Sequence, residues 1–138
     1  MTLSVFSITP RANVGGITKS LYQNEDTMNS LELAVINDIA NLENIVFWHR
    51  NLENSGFRIN GFINHYPDFI VLTKKGKILV IETKGDDRDN SDSERKIRLG
   101  SKWESKAGGN FKYMMIFENQ AVAGAFRRDD AIAKIAQM

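Results

Sequence analysis

Two short apolar segments separated by four residues constrain this 138-residue chain more than any other feature: 69–73 and 78–81, rich in Ile, Val and Leu, flank Lys74-Lys75-Gly76-Lys77. That pattern predicts a β-hairpin. A loop of Lys74, Lys75 and Gly76, with Gly76 in the left-handed position of a type I turn plus G1 bulge, pairs Thr73 with Lys77. Counting outward, Asp68 then stands opposite Glu82. A shorter loop of Lys75 and Gly76 would shift the register by one residue and send the two acids to opposite faces, because side chains alternate with period two. Both faces are apolar, with Ile70, Leu72, Ile78 and Val80 on one and Phe69, Val71, Leu79 and Ile81 on the other. The pair is therefore expected inside a sheet covered on both sides, with its charged residues at the mouth of a cleft.

In the favoured register the Cβ atoms of Asp68 and Glu82 lie roughly 4.5–5.5 Å apart, close enough for both carboxylates to reach one cation at about 2.1 Å. Like charges that close repel, and a divalent metal is the natural compensation. Lys84 is two residues beyond Glu82 on the same face, about 6.6 Å along the strand, where its ammonium can serve a reacting phosphate. Thr83 points the other way, with its backbone carbonyl still available to a metal. The bland alternative makes Asp68 a turn residue after Pro67 and makes Glu82 and Lys84 the solvated end of a strand; the hairpin context favours the site.

Composition bounds the rest. With 42% hydrophobic and 25% charged residues the chain reads as one globular domain. It has no cysteine, which excludes disulfides, thiolate metal sites and a Cys nucleophile and fits a cytoplasmic setting. No basic and apolar leader is visible, and no apolar run approaches the ~18 residues of a membrane span. A net charge of +1 does not favour indiscriminate adhesion to nucleic acid. DNA contacts would have to come from a local cluster, Arg95, Lys96, Arg98, Lys102 and Lys106, which follows the acidic residues Asp86, Asp87, Asp89 and Asp92. A solvated helix face explains such a run equally well.

Along the chain, 1–28 reads as irregular, with a short strand at 3–8 stopped by Pro10. VGGITKS is not a phosphate loop, because Thr18 stands where that motif needs a glycine before the lysine. Asn29 caps a helix carrying Leu31, Val35, Ile39 and Leu42 at helical period. Glu32 has two readings there: the reciprocal half of a capping box, or a third acid lent to the metal site. Strands are expected at 45–48, 57–63 and 111–117, and a helix from Asp92 or Ser93 to Ala107, ended by Gly108-Gly109 and weakened by Gly100. A last helix begins at Asp129 and carries Ile132, Ile135 and Ala136. Trp48, Trp103, Tyr66 and Tyr113 could stack on bases, but aromatics within such elements usually fill cores. His65 is either a ligand or proton donor near Asp68 or, more commonly for a lone histidine, a structural hydrogen-bonding residue. His49 is a weaker candidate.

Pro67-Asp68, followed after 13 residues by Glu82-Thr83-Lys84, resembles the PD-(D/E)XK nuclease signature, with Glu32 where that superfamily often has an additional acid. The runs SLYQNEDTMNSLE, FWHRN and GFRINGFINHYPDFIVLTKKGKILVIETKGD, with the later Lys96, Gly100 and Trp103, resemble the C-terminal endonuclease domain of the restriction subunit of type III restriction enzymes. The resemblance covers roughly residues 17–118. It implies an α/β restriction-endonuclease-like core, a central mixed β-sheet flanked by α-helices, that hydrolyses the phosphodiesters of double-stranded DNA with Mg²⁺ or, as a substitute, Mn²⁺. It implies metal ligation by Asp68, Glu82 and the Thr83 carbonyl, catalysis by Asp68, Glu82, Lys84 and Glu32, and DNA contacts from Lys96, Arg98 and Lys102. In such systems ATP acts through a helicase-like translocase and a modification methyltransferase subunit recognises sequence, so this chain is expected to be one domain of a larger restriction subunit, with 1–28 irregular, 29–118 the nuclease core and 119–138 a C-terminal helix. Two readings compete: a non-catalytic DNA-binding or docking module, and a structure-specific nuclease of the same superfamily.

Overall fold

The computed structural model describes residues 19–20, 28–52, 56–61, 63–86, 90–119 and 122–138. The strand expected at 3–8, most of the glycine segment, and Asp87 and Asp89 lie outside them. The described residues form an α/β fold, a five-stranded mixed sheet flanked by helices, with a separate two-stranded ribbon.

Helix α1 (Ser30–Ala40) starts where the sequence asks it to. Asn29 Oδ1 accepts the Glu32 amide at 2.8 Å while Glu32 Oε1 accepts the Asn29 amide at 3.3 Å, a complete capping box. Strand β1 (Ile45–Arg50) follows and pairs antiparallel with β4 (Phe69–Thr73). The span 57–63, expected as one strand, is instead divided. β2 (Ile59–Asn60) pairs with β3 (Asn64–His65) in a small antiparallel ribbon. Gly61 turns the chain between them at a point where a Cβ would lie 2.4 Å from Leu99 Cδ1.

The hairpin of β4 with β5 (Ile78–Lys84) has the register that its turn dictates. Phe69 faces Ile81 and Leu72 faces Ile78, Thr73 N–H donates to the Lys77 carbonyl at 2.9 Å, and Gly76 takes φ +87°. β5 also pairs in parallel with β6 (Phe111–Phe117), and β6 in parallel with the short β7 (Phe126–Arg127), giving the order β1-β4-β5-β6-β7. A parallel pair cannot be closed by a tight turn. The crossover is α2 (Asn90–Ala107), which starts two residues before Asp92 and ends at Gly108 with φ +112°. The C-terminal segment is not helix alone: β7 precedes α3 (Arg128–Ile135).

Each sheet face has its own core. Phe69, Val71, Leu79 and Ile81 pack with Trp48 and Met114 under α1 and α3, while Val80, Met115, Phe117 and Tyr113 pack with Ile97 and Leu99 of α2. The first face is fully covered; on the second, Ile70, Leu72 and Ile78 remain half-buried. Gly100, weak on helix propensity, is where α2 comes closest to the sheet, since a Cβ there would meet Tyr113 Cδ1 at 2.3 Å. Among the described residues no helix is long and apolar enough to cross a membrane.

Candidate active site

The antiparallel ladder ends at Phe69 and Ile81, but β5 runs on beside β6 through Glu82, Thr83 and Lys84. Asp68 sits at this step. Its amide donates to the Ile81 carbonyl at 2.8 Å, so Asp68 and Phe69 both meet Ile81, a bulge-like doubling that turns the acid toward the free end of β5. There Asp68 Oδ2 accepts the Thr83 amide and the Thr83 hydroxyl, each at 2.8 Å. The Thr83 side chain, expected to point away, is thus tied to Asp68 because that carboxylate reaches past the strand edge.

Asp68 and Glu82 come together through their side chains, although not as the directly opposed pair that the hairpin count predicts, because the bulge sets Asp68 against Ile81. Glu82 is 5% exposed, and burial followed by the Asp68 charge raises its pKa well above the ordinary carboxylate value. Glu32 belongs to the same electrostatic group. It is 9% exposed, its pKa is raised by burial and then by Asp68, and its Oε2 lies 3.6 Å from Arg50 Nη2. The capping-box reading holds, and the same carboxylate feels the charge of Asp68.

The compensating cation at Glu82 is Lys96, whose ammonium lies 3.0 Å from Glu82 Oε2 and 3.3 Å from Asp92 Oδ2. Lys84 Nζ lies 3.3 Å from the same Asp92 oxygen. Asp92 therefore joins two ammoniums, one from β5 and one from α2. Although burial opposes it, Glu82 and Asp92 raise the pKa of Lys96; Asp92, against a burial effect of opposite sign, is held low by Lys96 and Lys84. Lys96, expected among the DNA contacts, stands in the acid cluster. Arg98 and Lys102 are exposed on α2.

Beneath the cluster, His65 Nε2 and Tyr113 Oη are 2.7 Å apart, with the rings edge to face at 5.6 Å. His65 is 1% exposed, and burial, then Lys96, lowers its pKa to about 3, so it is neutral near pH 7. Trp48 and Tyr113 are core residues. The sequence assigns none of Asp92, Arg50 and Tyr113 to the site, and gives Lys96 as a DNA contact rather than as the partner of Glu82. Only the Asp92–Lys96 pair, four apart on a helix, had a local signal.

A cleft of about 540 Å³ opens over the strand end, walled by Glu82, Thr83, Lys84 and Gly85 and by Asn29, Ser30 and Leu31 of the first turn of α1. A helix N-terminus facing a cleft favours an anion in it. The donor set suits a hard cation, since Asp68 and Glu82 bring carboxylate oxygens side by side, close enough for the two side chains to hydrogen-bond each other. Among the described residues no group of three or more His, Asp or Glu is gathered to hold an ion. Water or phosphate oxygens would have to complete the shell, as Mg²⁺ ordinarily requires.

No family model, curated protein or solved structure matches the chain. A functional reading therefore has to stand on these residues and their arrangement.

Proposed function

We propose that this chain is a metal-dependent DNA endonuclease domain of the PD-(D/E)XK superfamily, built on a restriction-endonuclease-like core and serving as the nuclease part of a type III restriction subunit. The observation that carries this reading is the meeting of Asp68 and Glu82 at the open end of β5, where Glu82 and Lys84 both wall one cleft. The mixed sheet and its α2 crossover agree with it.

Asp68 and Glu82 would hold Mg²⁺, with the Thr83 carbonyl beside them and Glu32 acting at one remove. When bound, the ion supplies Lewis-acid polarisation of the phosphate and neutralises the two carboxylates. The Thr83 amide and hydroxyl fix Asp68, and Lys96 and Asp92 hold Glu82 and Lys84 in place. Lys84, released from Asp92 toward a phosphate in the cleft, orients the attacking water and offsets charge developing on the phosphate oxygens. The first turn of α1 adds a favourable dipole for the same anion. In this reading the substrate is double-stranded DNA in the cytoplasm, with ATP-driven translocation and sequence recognition supplied by the helicase-like portion and the methyltransferase subunit of the full system.

The test is incubation of plasmid DNA with wild type and Lys84→Ala in Mg²⁺ or Mn²⁺. Metal-dependent cutting by wild type that is lost in the variant is expected; equal activity removes Lys84 from the mechanism. One observation favours a non-catalytic DNA-binding module instead: Glu82 has a cationic partner of the chain's own in Lys96. Salt-dependent DNA binding with no cutting under any metal would select that reading.

A further inference from the structure

We propose that the groove between α2 and the β2–β3 ribbon is a second binding site, which takes one unpaired nucleotide of a DNA strand, its base against Trp103 and its phosphates on Lys102 and Lys106. The groove encloses about 230 Å³. That is room for one heterocycle and below the roughly 300–1,000 Å³ of drug-sized sites. Its floor is apolar, with Ile59 and Leu99 only 2% and 4% exposed. The Trp103 indole is held by edge-type contacts with Phe57 at 5.8 Å and Phe111 at 5.7 Å, and neither ring stacks on it. Asn60 brings an amide that can both donate to and accept from a base edge.

The rim supplies the charge complementarity. Lys102 and Lys106 are exposed, line the groove and stand four residues apart, about 6 Å along α2, so they address neighbouring phosphates of one strand. Among the described residues no carboxylate lines the groove with them. Gly61 keeps it shaped, because a side chain there would run into Leu99. A base stacked in a duplex cannot present itself to such a pocket, whereas a frayed or extruded one can.

The position relative to the acid cluster gives the groove a use. Trp103 lies seven residues beyond Lys96, two turns along the same side of α2 and about 10 Å away along its axis. A strand with one phosphate at Glu82 can follow α2 and place a neighbouring nucleotide in the groove. This use rests on the nuclease reading; the groove's own affinity does not.

The experiment is fluorescence and anisotropy titration of the full chain with short single-stranded oligodeoxynucleotides in EDTA. The chain has two tryptophans and Trp48 is fully buried, so a change in emission reports Trp103. An intact strand is expected to change the emission and a strand of abasic residues to leave it unchanged while still binding. Lys102→Gln combined with Lys106→Gln should weaken binding about tenfold or more and flatten the slope of log K against log salt by about 1.4, two contacts at about 0.7 each. An equal response to the abasic strand, or unchanged affinity in the double variant, overturns the groove. Cleavage by wild type against Lys84→Ala is read separately: cutting without an emission response removes the groove alone, and a response without cutting supports the groove and removes the nuclease reading.

Discussion

Replacing Lys96 by Met removes the cation that sits on the most buried acid of the cluster while keeping most of the stem packing. Lys96 donates to Glu82 Oε2 at 3.0 Å, Glu82 is 5% exposed, and the Lys96 side chain keeps 22% exposure. Breaking one side of a fully buried pair costs about 3–5 kcal/mol. Here Lys96 is partly solvated and Glu82 can take up a proton instead, which reduces the expected loss to about 1–3 kcal/mol. The sign with pH follows from Glu82, whose pKa is raised above 4.5 by burial and then by Asp68. The folded state binds that proton more tightly than the unfolded chain, so this group's contribution to stability falls as pH rises from the unfolded value through the folded one. Loss of Lys96 raises the folded pKa further. The deficit of the variant is therefore small near pH 5 and larger near pH 8. Urea unfolding in EDTA at both pH values, repeated in a Glu82→Gln background, measures it. The coupling between the two substitutions should be about 1 kcal/mol or more near pH 8. A loss of the same size at both pH values, or an undiminished loss in the Gln background, would refute the pairing.

Gly100→Ala gains about 1 kcal/mol of helix propensity but drives a methyl to 2.3 Å from Tyr113 Cδ1, so overpacking of about 1–3 kcal/mol dominates and the melting temperature falls; a rise would mean that Tyr113 yields freely. Gly76→Ala meets no atom within 4 Å yet must hold φ +87°, and should cost about 1–2 kcal/mol from backbone strain alone, less for Asn; no loss would contradict the G1 turn. His65 should stay neutral in NMR titrations until the pH nears 3, and because its folded pKa lies below the unfolded 6.5 its contribution to stability is full above 6.5 and is lost as pH falls through that window. An ordinary titration near 6.5 would place the ring in solvent. Asp68→Ala should weaken Mn²⁺ binding in calorimetry, and an unchanged isotherm would remove Asp68 as a ligand.

What could be read from the chain was whatever local chemistry decides. The β4–β5 register follows from one glycine and the alternation around it, and the start of α1 follows from Asn29 and Glu32 three residues apart. The division of 57–63 into ribbon and turn was not legible, and the close approach of Gly61 to Leu99, far along the chain, leaves no local trace either. β7 was missed for a similar reason: two residues form a strand only because β6 is already beside them. The acids of the site were visible as a motif, but their cations were not. Lys96 reaches Glu82 across 14 residues and His65 reaches Tyr113 across 48, and neither distance leaves a periodic trace. Lys96 read as one more member of a basic run until the packing of α2 gave it a partner.

The unequal ends of β4 and β5 explain why the acids meet. β6 continues to pair with β5 through Lys84, but β4 starts only at Phe69, so past Ile81 one edge of β5 has lost its strand neighbour. An amide exposed there would be costly if buried and unpaired. Asp68 Oδ2 takes the Thr83 amide, and in doing so the carboxylate is drawn to the side of Glu82. Asp68 thus has two separable tasks, closing a broken ladder and placing a negative charge. Asparagine can keep the first through its carbonyl oxygen while losing the second. Stability near the wild-type value with a collapsed metal affinity in Asp68→Asn, set against loss of both in Asp68→Ala, would show that the strand mismatch builds the site and that the charge gives it its chemistry.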